Sequence, residues 1–163
     1  MKPILIFEFN SNSAINNWEI VNDVVMGGKS KSKFYLNSEG NGTFDGNVSL
    51  DNNGGFCSVK YNFTPITINK NKFICIRCKG DGKEYQFRVK SNISDSHSYV
   101  YGFQTSTDWL TIEIPISELQ PSFRGRKLDL PNYDGSNLEE IAFLIGNKKE
   151  ETFQLLIARI EVW

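Results

Sequence analysis

The stretch Asn22-Asp23-Val24-Val25-Met26-Gly27-Gly28-Lys29-Ser30 ends in Gly-Lys-Ser, the close of a phosphate-binding loop, and so raises nucleotide chemistry first. Such a loop needs a glycine five positions before the Gly of that triplet, a strand leading in and a helix leading out, so that backbone N–H groups wrap the phosphates. The position holds Asp23, whose carboxylate would repel phosphate, and the following KSKFYLNSEG lacks a helical period. Hydrolysis is raised by His97, which lies in SNISDSHSY beside Ser and Asp. A triad needs a base oriented by a buried carboxylate and a nucleophile on a rigid turn, and neighbours in one polar loop do not meet that geometry. His97 is therefore expected to be an exposed loop residue, and no G-x-S-x-G elbow occurs. The glycines of GNGTFD and GDGKEY fail the dinucleotide pattern, since Asp45 and Tyr85 stand where a third glycine is required.

Metal chemistry has two starting points. Cys75 and Cys78 have C-x-x-C spacing, but in the strand-like KFICIRCKG they fall on opposite faces, and no second Cys/His pair exists to complete a zinc site. Together with Cys57 they read as structural thiols. Asp23, Asp45, Asp51 and Asp81 sit in loops that could offer oxygen ligands to calcium, without EF-hand spacing. The reading takes neither a metal nor a cofactor as required. The basic cluster is Arg124-Gly125-Arg126-Lys127, next to Phe123. Its guanidinium groups suit bidentate capture of a carboxylate, a phosphate or an acidic partner segment. The alternatives are a solvated loop, or arginines bonding back to the fold's own carbonyls or to Asp23. Aromatic residues are 13% of the chain, enough for sugar-stacking platforms as well as a core.

The elements that must hold these residues are strands. Short β-type runs such as ILIFEF, KSKFYL, EYQFRVK, WLTIEIPI and FQLLIARIEVW are separated by Gly with Asn or Asp, the residues of tight turns. Ten such runs predict an all-β sandwich or barrel. In EYQFRVK, Tyr85, Phe87 and Val89 take the inner face; Leu110, Ile112, Ile114 and Ile116 are expected to do so in WLTIEIPI, and Leu156, Ala158, Ile160 and Val162 in the last strand. FICIRCK and EIAFLIG, apolar on both faces, are expected centrally. The helical candidates are short, at 13–20 and 117–122, each with a Ser to cap it. The longest irregular stretch, residues 118–137, is expected to be functional or tied down against the sandwich.

The 163 residues read as one domain, and the formal charge of -1 excludes a global field for nucleic acid or an anionic membrane. The run Ile4–Phe7, cut by Glu8, is too short for a signal peptide or a span. With no targeting segment read, the expected compartment is the cytoplasm, peripheral association with membrane complexes included. The four Asn-x-Ser/Thr sequons then carry little meaning.

Five blocks, in order, resemble the complex I intermediate-associated protein family: WEIVNDVVMGGKSKS, TFDGNVSLDNNGGFCSVK, GDGKEYQFRVK, DWLTIEIPISELQPSFRGRKL and FQLLIARIEVW. The most specific parts are Asn22 to Gly28 with Ser30, Phe44-x-Gly46 and Gly54-Gly55-Phe56. The resemblance implies a galactose-binding-like jelly-roll β-sandwich over 1–163, without catalysis. It also implies a role as a chaperone-like assembly factor for subunits or intermediates of NADH:ubiquinone oxidoreductase. A carbohydrate-binding module is the second expectation. The third is an enzyme with Asp23 and Arg124 or Arg126 as polar actors in a cleft. Function is expected in loops at one end of the sandwich, in a groove lined by 22–30 and 118–137. The candidate binding residues are Asp23, Met26, Phe123, Arg124 and Arg126, with a partly exposed apolar surface near Met26 and Phe123. Trp18, Gly27, Gly28, Ser30, Gly46, Gly54, Gly55 and Phe56 are expected to shape the fold. For Asp23 and Met26 the choice between fold and partner surface stays open.

Overall fold

Period-two runs of Ile, Val, Phe and Tyr leave this chain little to form but strands. A computed structural model describes residues 3–23 and 27–163, and thirteen strands lie among them. They are β1 (Ile4–Glu8), β2 (Trp18–Ile20), β3 (Lys31–Leu36), β4 (Gly42–Val48), β5 (Cys57–Ile66), β6 (Phe73–Lys79) and β7 (Glu84–Lys90). There follow β8 (Ser98–Gln104), β9 (Trp109–Pro115), β10 (Gln120–Phe123), β11 (Arg126–Lys127), β12 (Leu138–Ile145) and β13 (Glu151–Val162). One sheet runs β3-β4-β13-β6-β9, with β1 on the second half of β13; the other runs β11-β10-β8-β7-β12-β5-β2. Phe44, Ile76 and Leu155 from the first and Val59, Phe87 and Phe143 from the second are fully buried between them. Each such side chain contributes about 1.5–3 kcal/mol. Among the described residues no helix is long and apolar enough to cross a membrane.

Strand β7 follows its alternation, with Tyr85, Phe87 and Val89 buried. In β9 the inward face is as expected, but only Ile114 and, just beyond the strand, Ile116 are fully enclosed; Leu110 and Ile112 are half-buried. Strand β13 departs from expectation. Its first half buries Phe153, Leu155 and Ile157, then its register against β6 shifts between Ile157 and Arg159, and Ile160 and Val162 point inward. The extra residue flips the phase, so Leu156 and Ala158 leave the core and are only half-buried.

Both helical candidates are corrected. Residues 13–20 form hydrogen-bonded turns (Ser13 N–H to Asn10 C=O, Trp18 N–H to Ile15 C=O) and then β2, because Trp18 is drawn between Phe34 and Tyr61, with ring centroids 5.0 and 4.9 Å away. At the other site only a 3-10 turn forms, Ile116–Glu118, without a side-chain cap. Nor is 118–137 irregular throughout. It contains the β10–β11 hairpin, turned by Arg124 and Gly125 at φ 50° and 78°, the positive values a two-residue turn needs. Beyond it Tyr133 is buried, its N–H on Leu119 C=O at 3.0 Å and its hydroxyl on Asn137 C=O at 2.6 Å, which ties the segment down.

The residues around Asp23 converge on one buried carboxylate. Asp23 Oδ1 accepts the Ser30 N–H at 3.0 Å. Oδ2 accepts the Ser30 hydroxyl at 2.5 Å and the N–H groups of Gly55 at 2.6 Å and Phe56 at 3.3 Å. Ser30 Oγ in turn takes the Ser49 N–H at 2.8 Å. A methyl group on Gly28 or Gly54 would overlap the Asp23 carboxyl, and one on Gly46 would overlap the backbone of β3, so these glycines are required by close approach. Burial pushes the carboxyl pKa up, but the four hydrogen bonds outweigh it and the group ends below 3.8.

Burial dominates the thiols, and the nearby Arg77 only partly offsets it at Cys78. Burial pushes Cys57 up to about 11 and Cys78 to about 12, and Cys75 also rises. Cys75 is half-buried while Cys78 is enclosed, as opposite faces of β6 require. All three are free.

Asp23→Asn presents an amide NH2 to donors that need an acceptor, and is expected to cost about 3 kcal/mol in denaturant unfolding at neutral pH. The folded carboxyl titrates below 3.8, so its stabilisation is complete above that value and fades as pH falls through the lowered folded value. The gap between wild type and variant should therefore narrow between roughly pH 5 and pH 2; a constant gap would contradict an ionised Asp23. Gly28→Ala should destabilise by about 2–3 kcal/mol. Gly102→Ala, whose added carbon finds no neighbour closer than 3.8 Å, should change stability by less than about 1 kcal/mol. Equal melting temperatures for the two variants would refute the packing around Asp23.

Candidate functional site

Alternation that sends Val59, Phe87, Val89, Ile141 and Phe143 into the core sends their neighbours to the outer face of the seven-stranded sheet. Register then aligns them. Lys60 lies opposite Ala142, Ala142 opposite Arg88, Arg88 opposite Val100 and Val100 opposite Gln120, which gives one row across five strands. Ser58, Leu144, Gln86 and Gly102 form the next row. Above these rows lies a groove of about 1030 Å³. The hairpin residues Arg124, Gly125 and Lys127 border it at one side, and Val21, Gly55 and Phe56 at the other. The Gly55 and Phe56 N–H groups are those held by Asp23, so the buried carboxylate also fixes this rim.

Charge in the groove is uneven. Lys60, Arg88, Lys90, Arg124 and Lys127 line it against two carboxylates, Glu118 and Glu140, although the whole chain carries -1. Glu140 is 7% exposed and pairs with Lys60 at 3.9 Å. Burial raises its pKa, and the neighbouring Lys60, Lys90 and Arg88 only partly offset that. Lys90 is tied to Asp95 C=O at 2.7 Å. Arg88 is the exception: burial lowers its pKa, and among the described residues its one side-chain hydrogen bond is to Gln86 Oε1, at 3.2 Å. Among the described residues no His or Cys lines the groove, and the Ser58 hydroxyl is spent on Val21 C=O. These groups are equipped to bind by hydrogen bonds and charge.

The residues singled out from sequence are distributed differently from the expected cleft. Asp23 is fully buried and serves the fold, and no ion pair or hydrogen bond joins it to Arg124 or Arg126 among the described residues. Met26, with Val24 and Val25, lies outside the described residues, so the apolar surface expected there rests on Phe123 alone. Phe123 is half-buried beneath the Arg124 guanidinium, 5.3 Å from its ring centroid. Arg124 does line the groove; Arg126, opposite Phe123, is exposed and is not among its lining residues. Neither arginine bonds back to Asp23, because that carboxylate is already filled by Ser30, Gly55 and Phe56. Trp18 belongs to the buried aromatic cluster, and Gly27 turns at φ 88° with its carbonyl accepting from Asn52 at 3.1 Å. The groove itself is bordered by residues of 55–60, 86–102, 118–127 and 140–146 rather than by 22–30, and it lies on a sheet face rather than at a loop end.

Other expectations change as well. His97 is half-buried, edge-on to Tyr99 at 5.3 Å between ring centroids, instead of exposed. Asp45 accepts the Tyr35 hydroxyl and Asp81 the Tyr85 hydroxyl, and among the described residues no three acidic, His or Cys groups converge as metal ligands. The aromatic rings on the groove are Phe56 and Tyr101, which form no ring pair with each other among the described residues. Sequence reasoning missed Arg88, Lys60 and Glu140. Each looks like an ordinary polar position on a strand, and only cross-strand register stacks them.

Comparison with known proteins bears on fold and family. A family 11 carbohydrate-binding module from Clostridium thermocellum, solved with a β-1,3-1,4-mixed-linked tetrasaccharide, is similar at TM-score 0.73 and 19% identity, over 98% of this chain and 94% of that one. A family 29 carbohydrate-binding module is similar at TM-score 0.58 and 12% identity, over 100% and 92%. At these identities the likeness shows the fold, a galactose-binding-like jelly-roll sandwich. An uncharacterized protein of Schizosaccharomyces pombe is 29% identical over 150 residues, and the chain spans 65% of that protein's length. The sequence profile of complex I intermediate-associated protein 30 matches residues 7–157, and the chain therefore belongs to the CIA30 family.

Proposed function

We propose that this protein is a non-catalytic binding module whose groove on the seven-stranded sheet takes a segment of a protein partner. The partner class follows from the family: a subunit or assembly intermediate of NADH:ubiquinone oxidoreductase, met from the cytoplasmic side by peripheral association. The observation that carries this reading is the groove's composition. It offers charged and hydrogen-bonding side chains interleaved with small apolar ones on the face of a sheet. The enzyme reading loses one of its two polar actors, because Asp23 is enclosed in the fold.

A second reading, carbohydrate binding, is favoured by the likeness to a module solved with a bound tetrasaccharide. Sugar recognition of that kind draws on flat ring platforms as well as polar groups. Here the groove offers the separate rings of Phe56 and Tyr101, which places the peptide reading first.

Ala142→Trp fills the groove floor from an outward position. The tagged wild type should recover NADH:ubiquinone oxidoreductase subunits from solubilised membranes, and the folded A142W variant should lose them, folding being checked by its melting curve. Recovery of no respiratory subunit above background by the wild type would refute the reading. Binding of neutral glucan oligosaccharides that A142W abolishes would replace it with the sugar reading.

A further inference from the structure

Arg88 occupies the centre of the groove floor, where it is half-buried. Across the row its neighbours are Ala142 and Val100, and Gly102 stands two residues along β8. These residues are too short to cover it. The nearest carboxylate of the face, Glu140, makes its ion-pair contact with Lys60 and acts on Arg88 through charge alone, without an ion-pair contact among the described residues. A guanidinium carries five N–H donors, and among the described residues Arg88, which lines the groove, spends one of them on Gln86. A half-buried guanidinium with spare donors is matched best by an anion that brings two acceptors. Around it the excess of positive charge continues with Lys60 and Lys90 on the floor and Arg124 and Lys127 on the hairpin.

We infer that the occupant of the groove is an acidic, extended peptide segment, and that Arg88 is the anchor for one of its carboxylates, with Arg124 and Lys127 holding further acidic side chains from above. This rests on the reading of the groove as the binding site and adds the chemistry of what enters it. A planar carboxylate matches the guanidinium fork with two parallel hydrogen bonds, which a lysine at the same position cannot reproduce. The hairpin charges are exposed, so they contribute mainly to encounter rate and salt dependence, whereas Arg88 contributes to residence. An acidic segment on an assembly intermediate would thereby be distinguished from a neutral one.

The test uses the full chain and two fluorescein-labelled peptides, one alternating Glu and Ser, the other alternating Gln and Ser. Anisotropy titrations should show the Glu peptide binding at least about tenfold more tightly than the Gln peptide. Arg88→Gln should remove that preference, Arg88→Lys should restore it only in part, and Arg124→Gln should weaken binding and flatten its salt dependence. Arg159→Gln, on the other sheet, should change nothing. Arg124 is exposed at a hairpin tip, so its variant keeps the test valid should R88Q melt early. Equal affinity for the two peptides, or an unchanged preference in R88Q, would overturn the inference. So would Arg88-dependent binding of oligogalacturonate in the absence of peptide binding, which would make the occupant an anionic sugar. The two readings fail separately: partner recovery lost in A142W but kept in R88Q leaves the groove as the site and removes the acidic occupant.

Discussion

The buried carboxylate of Asp23 is the constraint on which this sandwich and its groove depend. A charge removed from water costs several kcal/mol unless donors replace its hydration. Here two groups of Ser30 and the N–H groups of Gly55 and Phe56 do so, across sequence separations of 7, 32 and 33 residues. The carboxylate therefore clamps the connector after β2 to the segment before β5. Only glycine fits at positions 28 and 54 beside it, which accounts for a glycine between the acid and the serine and another ahead of β5.

The clamp and the groove are joined through short links. Gly55 and Phe56 border the groove while giving their N–H groups to Asp23, and Val21 borders it while accepting the Ser58 hydroxyl. The outer face of the sheet is thus bordered on one side by a segment whose backbone is hydrogen-bonded into the core. On the other side stands the β10–β11 hairpin, anchored where β10 pairs with β8. Fixed borders around a floor of mixed polar and apolar side chains reduce the ordering cost of binding, which is what a recognition surface requires.

The strands, their turns and the sandwich were readable because period-two hydrophobicity is local. The same locality accounts for what was not readable. In β13 a single bulge reverses the phase, and nothing in QLLIARIEV marks the position at which it occurs. At 13–20 the capping serine and helical spacing gave way to Trp18 stacking between Phe34 and Tyr61, a contact across strands far apart in sequence. Asp23 could be recognised as special but not assigned, since half of its donors, the N–H groups of Gly55 and Phe56, come from a distant segment. Arg88, Lys60 and Glu140 carry no signal alone; the register of β5, β12 and β7 makes them a site. Arg124 was recognisable as a basic cluster, and the structure adds that it overlooks that row.

The central claim is that the outer face of the seven-stranded sheet, and no other surface, receives the partner. Amide chemical-shift mapping of the isotope-labelled chain during titration with an acidic peptide tests it most directly. The account predicts perturbations concentrated at Ser58–Lys60, Gln86–Lys90, Val100–Gly102 and Glu140–Leu144, with Gly55 and Phe56 following at the rim. Perturbations confined to the outer face of the six-stranded sheet, around Arg77, Glu113 and Arg159, would contradict it.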